Sequence, residues 1–330
     1  MKIAVGLSGG VDSAVSALLL KKEGHEVIGV TMALGREGEA RDLEETRLVA
    51  AQLGVSLRVF DLSDDWKRLV LSYVGETYRL GETPNPCVRC NETVKFRLLP
   101  EAAFSLGCEA FATGHYARLC RDGARVRLLR GVDRTKDQSY FLYRVREEIL
   151  ARTLFPLGAR TKAEVRAIAR EAGFRAADRE DSQDFCGGDV RHLLPQEPRE
   201  GAIVRLSDGR RLGTHRGYWN YTVGKRKGLG IGGGTPYYVV RIDAARNEVV
   251  VGTRDEAVSH DLNLVDCVGE IDKSLPVKVR SAGEPRLLAE GVLGVAPGQS
   301  AVFYRGDEIV GGGIIAARSK SNGALGGPFD

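Results

Sequence analysis

The sequence predicts an α/β protein: a parallel β-sheet covered by helices, then a small central segment, then an antiparallel β-barrel. Three observations predict it. Strand-like and amphipathic helical segments alternate through the first half, the pattern of a parallel sheet with helices on both faces. A glycine-rich loop joins the first strand to the first helix. From about Gly217 onward, short β-rich runs recur between turn residues, the pattern of a small antiparallel barrel.

Lys2 to Leu7 reads as a buried strand, and Asp12 to Glu23 as a helix with Val15, Leu18 and Leu19 on one face. A second strand covers His25 to Met32. The next helix, Leu43 to Leu53, carries an inner stripe of Thr46, Val49, Ala50 and Leu53. Leu57 to Asp61 is a third strand. Helices over Trp66 to Leu80 and Asn91 to Leu106 lead to a strand at Ala110 to Thr113. Sheets of this kind bind ligands beyond the carboxyl ends of their strands. Further on, Thr161 to Gly173 reads as a short helix, with Thr161 as N-cap, Glu164 completing a capping box and Gly173 as the stop. The β-rich runs are Tyr237 to Ile242, Glu248 to Val251, Val277 to Val279, Ala301 to Tyr304 and Ile309 to Ile315. The expected division is 1–153, 154–215 and 216–330.

The 330 residues suffice for two or three domains. At 43% hydrophobic and 28% charged, the composition is that of an ordinary globular protein. No apolar run approaches the roughly 18 residues of a membrane helix. Met1 to Val5 lacks the layout of a secretory leader. A cytoplasmic protein with no membrane partner is therefore expected. The net charge of +4 permits an RNA partner without requiring one. Basic residues gather at Lys225, Arg226 and Lys227 and at Arg205, Arg210, Arg211 and Arg216. Taken alone, such clusters read as solvated loops.

Gly6-Leu7-Ser8-Gly9-Gly10-Val11-Asp12-Ser13 is the most specific motif. Its glycines let the backbone approach a phosphate. Amides at the helix start and the Ser8 and Ser13 hydroxyls can donate to phosphate oxygens. It lacks the Walker lysine and the dinucleotide glycine spacing. The string resembles the phosphate loop of N-type ATP pyrophosphatases, which split ATP into AMP and pyrophosphate and adenylate a substrate oxygen. In that setting Asp12 would help to hold Mg²⁺.

Six cysteines spread through the chain argue against a disulfide scaffold. Cys108, Cys120 and Cys267 sit in apolar or strand-like surroundings and read as packing residues. Cys87, Cys90 and Cys186 sit among turn residues. In Thr83-Pro84-Asn85-Pro86-Cys87-Val88-Arg89-Cys90-Asn91 the prolines predict an extended loop, with Asn91 capping the next helix. Cys90 would then lie at a helix entrance, where the dipole activates a thiol. Cys186 lies in Asp181-Ser182-Gln183-Asp184-Phe185-Cys186-Gly187-Gly188. Two reactive cysteines on separate loops suit sulfur transfer, one carrying a persulfide and the other resolving it. A structural zinc site would want a second Cys-x-x-Cys pair. Cys87, Cys90 and Cys186 could instead hold an iron–sulfur cluster with one open iron. Both sulfur-carrying schemes stand at this level.

With these motifs the sequence resembles the bacterial tRNA-specific 2-thiouridylase family, over nearly the whole chain. Blocks that carry the resemblance, besides the phosphate loop, are Thr83 to Phe96, Ala112 to Ala117, Lys136 to Tyr140, Leu154 to Gly173, Asp181 to Cys186 and Gly224 to Gly232. The resemblance implies an adenine nucleotide alpha hydrolase-like, Rossmann-like PP-loop domain. It implies ATP- and Mg²⁺-dependent thiolation of uridine 34 in tRNA, with adenylation of the uracil C2 oxygen, attack by sulfur and loss of AMP. A persulfide or sulfide donor protein, a cysteine desulfurase or its relay, is the implied partner. Gly6 to Ser13, Met32 and Gly114 would bind ATP. Cys90 would be the nucleophile and Cys186 the persulfide carrier, the pair also able to form a disulfide bond. Some members have aspartate where Cys87 stands, and cysteine there suits a 4Fe–4S cluster. Asn85, Pro86 and Cys87 would meet the target base. His115, Lys136, Asp137, Gln138, Arg280 and Gln299 would meet tRNA. Ser281 stands where the family often has an aromatic residue, Lys225 where it often has glutamine, and the segment after Met32 is shorter than usual.

A synthetase adenylating a small molecule would explain Ser8 to Ser13 but not the loop cysteines or the β-rich C-terminal third. An RNA-binding protein without catalysis would not need Asp12, Cys90 and Cys186.

Overall fold

The structure, a computed structural model, describes residues 1–123, 125–178, 193–194, 199–232 and 234–317. Along the first part run β1 (Lys2–Gly6), α1 (Val11–Lys22), β2 (Glu26–Ala33), α2 (Glu39–Leu53) and β3 (Leu57–Asp61). α3 (Ser63–Trp66) passes through a π-helical stretch (Lys67–Leu71) into α4 (Ser72–Arg79). α5 (Pro86–Cys90) likewise passes through a π-helical stretch (Asn91–Leu98) into α6 (Leu99–Ser105). β4 (Ala110–Ala112), β5 (Ala117–Asp122), β6 (Arg125–Arg130), α7 (Glu147–Ala151), β7 (Thr153–Leu154) and α8 (Lys162–Glu171) follow.

The parallel sheet has the order β3-β2-β1-β4-β7. Its central strand carries an apolar run, Ile3, Ala4 and Val5, that is fully buried. That continuous apolar run is what a strand covered on both faces requires. On one face, Ala14 and Ala17 of α1 meet Val49 and Leu53 of α2 and Val165 and Ala169 of α8. The other face packs on Phe96, Leu99, Ala103 and Tyr140. Each fully buried aliphatic side chain contributes about 1.5–3 kcal/mol relative to exposure.

The expected helix at Thr161 is present with both halves of its capping box. The division expected at 153/154 is not a boundary in space. β7 is the fifth strand of the parallel sheet, and α8 packs on α1. One element near the cysteines also differs from expectation. Pro86 does not bar helix but occupies the first helical position, where its missing N–H costs nothing. The hairpin of β5 and β6, rich in arginine, lies outside the parallel sheet.

Further along come β8 (Gly201–Arg205), β9 (Arg211–His215), β10 (Tyr238–Asp243), β11 (Glu248–Gly252), β12 (Val258–Ser259), β13 (Leu264–Gly269), β14 (Val277–Lys278), β15 (Val292–Leu293), β16 (Ser300–Arg305) and β17 (Glu308–Ile315). The middle domain is a four-stranded sheet, β10-β11-β8-β9, around Ile203, Val239, Val249 and Val251. It crosses the division expected at 215/216, because β8 hydrogen-bonds to β11, more than forty residues later. The C-terminal barrel sheet runs β14-β16-β17-β6-β5, with β13 also on β17. Arg130 N donates to Asp307 O at 2.9 Å, and Arg118 pairs with the Asp307 carboxylate at 2.6 Å. The hairpin from the first domain thus becomes part of the last.

His115, just past β4, packs against Phe96 and Phe155 at ring distances of 5.4 and 6.0 Å. Its Nδ1 meets Thr113 Oγ1 at 2.7 Å. Burial first, and Lys95 second, hold the imidazole well below its ordinary 6.5. The unfolded chain therefore takes up this proton near pH 6.5 while the folded chain does not. That contribution is intact above pH 6.5 and is lost as pH falls below it.

Two stability predictions follow from this packing. Thr161→Ala should lower unfolding free energy by about 0.5–2 kcal/mol through loss of the cap, read by urea denaturation at pH 7.5. Between about pH 7.5 and 5 the wild-type urea midpoint should fall, and His115→Gln should flatten that slope. An unchanged slope would mean that His115 is protonated in the fold.

Candidate active site

The glycine-rich loop leaves β1 at Gly6, held by Leu7 N donating to Val30 O at 2.8 Å. It enters α1 through Gly10, an N-cap with no side chain to occupy the first amides. Ser8 N donates to Ser13 Oγ at 3.2 Å, and Ser13 Oγ donates to Gly10 O at 3.0 Å. Backbone donors, two hydroxyls and a helix start are thereby gathered at the carboxyl edge of the sheet, which suits an anion. Gly114, in the loop after β4, closes the other side. A Cβ there would stand 2.8 Å from Asp12 C and 2.9 Å from Ser13 N, so only glycine allows this approach.

Asp12 lies in the first turn of α1. Its two carboxylate oxygens each accept from Lys162 Nζ at 2.8 Å, and Tyr116 Oη donates to Oδ1 at 2.8 Å. Lys162 is the first residue of α8, directly after the Thr161 cap, and is buried. The chain thus brings a cation to the phosphate loop from 150 residues away. Asp12 has the hard oxygen donors that Mg²⁺ prefers.

The cysteine segment begins at Asn85, which is buried and is the actual helix cap. Its Oδ1 accepts from Val88 N at 3.3 Å. Asn91, expected as the cap, lies inside the helix and donates to Phe141 O at 3.1 Å. Cys90 is therefore not at a helix entrance. It is the fifth helical residue, and Cys87 is the second. Cys90 is 1% exposed, clustered with Leu34, Trp66, Val70 and Val94, and Met32 packs against the same cluster. Met32 and Leu34 leave the carboxyl end of β2, next to the strand that feeds the phosphate loop. Pro86 and Cys87 are partly buried on the turn before Cys90. Cys186 and the segment 181–188 lie outside the described residues. Among the described residues, no group of three or more His, Cys, Asp or Glu side chains could hold a metal ion.

Several residues expected to face RNA are engaged internally. The Asp137 side chain is 1% exposed and receives Arg130 Nε at 3.3 Å, with Gly131 N at 3.0 Å and Ser139 N at 3.2 Å. Gln138 Oε1 accepts from Tyr116 N at 3.0 Å. His115 points into the Phe96–Phe155 contact. Gln299 donates to the backbone of the cysteine segment at Thr83 O and Pro84 O. Lys136 is partly exposed, and Arg280 is exposed. Of the basic clusters, Arg205 pairs with Asp208 at 2.6 Å and Lys225 donates to Asn220 O at 2.9 Å. The sequence reasoning missed Lys162, Tyr116 and Tyr140, whose roles depend on partners far along the chain. A cavity of about 500 Å³, lined by Arg127, Tyr143, Arg144, Glu270 and Glu308 among others, contains none of the expected site residues.

Three family models match the chain in order. They are described as the tRNA methyl transferase HUP domain (residues 1–187), the tRNA methyl transferase PRC-barrel domain (190–253) and the aminomethyltransferase beta-barrel domain (264–315). Among curated proteins, the tRNA-specific 2-thiouridylase MnmA of Nostoc sp. is 43% identical, covering 97% of this chain and 99% of its own. The protein of the same name from Endomicrobium trichonymphae is 40% identical over 96% and 99%. That of Chloroflexus aurantiacus is 42% identical over 95% and 98%. With likeness of this degree along its whole length, the chain belongs to the tRNA-specific 2-thiouridylase family.

Proposed function

We propose that the protein thiolates uridine 34 of tRNA at C2, using ATP to activate the C2 oxygen and a cysteine persulfide to supply the sulfur. The observation that carries this reading is the placement of Cys90 beside the carboxyl end of β2, one strand from the phosphate loop. A base adenylated at that loop would lie along the sheet edge where the cysteine helix begins.

The uracil O2 attacks the α-phosphorus of ATP, and pyrophosphate leaves. Amides of Gly9 to Ser13 and the ammonium of Lys162 stabilise charge on the departing phosphates. When bound, Mg²⁺ supplies further neutralisation, with Asp12 as its protein oxygen ligand. Binding of the triphosphate gives Lys162 a second anion, so that Lys162 can turn from Asp12 to phosphate. The terminal sulfur of a persulfide on Cys186 then attacks C2, and AMP departs with the former O2. Cys90 thiolate attacks Cys186 Sγ, releasing 2-thiouridine and leaving a Cys90–Cys186 disulfide. An external thiol reductant and a persulfide donor, a cysteine desulfurase or its relay, restore the resting state. Asn85, Pro86 and Cys87 border the flipped base, which must leave its stack to reach the edge of the sheet. Exposed Arg280 and the partly exposed Lys136 suit tRNA phosphates. Burial of Cys90 excludes water from the adenylate.

The test combines protein, ATP, Mg²⁺, a persulfide donor and unmodified tRNA transcript, with thiolated uridine read by mercury-gel shift. Cys90→Ser should abolish thiolation yet retain tRNA-dependent pyrophosphate release. Lys162→Ala should lower pyrophosphate release by roughly 10²- to 10³-fold. Wild-type thiolation by Cys186→Ala would overturn the persulfide assignment, and full pyrophosphate release by Lys162→Ala would remove the lysine from the phosphate site.

A further inference from the structure

Gln299 sits in a turn of the C-terminal barrel, just before β16. Its Nε2 donates both to Pro84 O at 2.7 Å and to Thr83 O at 3.2 Å. The same turn receives Thr83 N on Pro297 O at 2.8 Å. Gly298 O accepts from Tyr73 Oη at 3.4 Å, and that hydroxyl in turn accepts from Asn85 N at 3.1 Å. Beneath them, Asn85 Nδ2 donates to Tyr140 Oη at 3.4 Å, and Tyr140 Oη donates to Ser300 O at 2.9 Å. The three residues before Pro86 are thus gripped from the barrel side.

The grip is close and stiff. Gly298 has φ of +87°, and a Cβ on it would lie 2.7 Å from Thr83 O and 2.9 Å from Thr77 Cγ2. The turn is itself fixed to the end of β17, by Gly298 N on Ile315 O and Ile315 N on Gln299 O, both at 2.8 Å. Both hydrogens of the Gln299 amide are used on carbonyls whose own chain has prolines at 84 and 86. Those prolines remove amides that could have held the segment by backbone pairing. The side chain adds donors to a stretch in which only Thr83 and Asn85 keep a backbone N–H.

We propose that Gln299 is a positioning residue: the barrel turn 297–299 clamps the segment 83–85 and so sets the start, direction and burial of the helix that carries Cys87 and Cys90. Gln299 thereby acts on the sulfur step through the cysteine helix. The proposal rests on the thiolation reading for its kinetic consequence, and on geometry alone for its effect on Cys90.

The test uses the full-length protein with Gln299→Ala, Gln299→Glu and Tyr73→Phe. Glutamate keeps the shape but turns a donor into a carboxylate facing two carbonyl oxygens. Expected for both Gln299 variants is a fall in kcat of roughly 10- to 100-fold, from misplacement of the reacting thiol. KM for tRNA should stay within about twofold. Alkylation of Cys90 by iodoacetamide, followed by peptide mass spectrometry, should quicken by at least about tenfold as the clamp opens. Tyr73→Phe should move kcat and alkylation in the same direction. Wild-type behaviour of Gln299→Glu would show that the side chain only fills space and would overturn the proposal. So would a raised KM with unchanged kcat, which marks an RNA contact, or an unchanged alkylation rate in the Gln299 variants. If the wild-type protein does not thiolate tRNA, the functional reading fails, while the alkylation comparison still decides the clamp.

Discussion

The ion pair between Asp12 and Lys162 joins the two ends of the nucleotide domain. It ties the first turn of α1, where the phosphate loop ends, to the first residue of α8. Its worth as a source of stability is modest, because Asp12 is 31% exposed and water screens the attraction. Its worth as a constraint is greater. The Lys162 side chain is only 11% exposed, and loss of Asp12 would leave its charge poorly solvated. Thr161 caps α8, Tyr116 adds a hydrogen bond, and the apolar faces of α1 and α8 pack below. The pair therefore sits on rigid elements, which is what a phosphate site needs.

A second constraint runs between domains. β5 and β6 depart from the parallel sheet to join the barrel, and the barrel returns a turn to the cysteine segment. The first and last thirds of the chain are thus built into each other. Arginines of the hairpin hold this seam: Arg118 pairs with Asp307, and Arg130 with Asp137 and Glu284. Arg280, by contrast, is exposed, and Lys136 is partly exposed.

The cysteine region shows how local and distant forces divide the work. Pro84 and Pro86 argue for an extended segment by propensity alone. Pro86 instead opens a helix, because Asn85 caps it and Tyr73, Tyr140 and Gln299 hold Asn85 and its neighbours in place. Cys90 consequently lies deeper than a helix-entrance thiol. It shares its cluster with Leu34 and Trp66. Such burial keeps solvent from the thiol, and a reagent reaches it only when the surrounding segment moves.

By itself the sequence determined the alternation of strands and helices, the phosphate loop at the end of β1, the capping box at Thr161 and the β-rich final third. These depend on period, on glycine and on short-range caps, all of which are written within a few residues. Only the tertiary structure decided that α8 supplies Lys162 to Asp12, that β8 and β9 share a sheet with strands beyond 215, and that Asp137 and Gln138 turn inward. Those outcomes depend on hydrogen bonds and ion pairs between residues tens to hundreds of positions apart. No local period or propensity records which distant donor will find which acceptor once the core has closed.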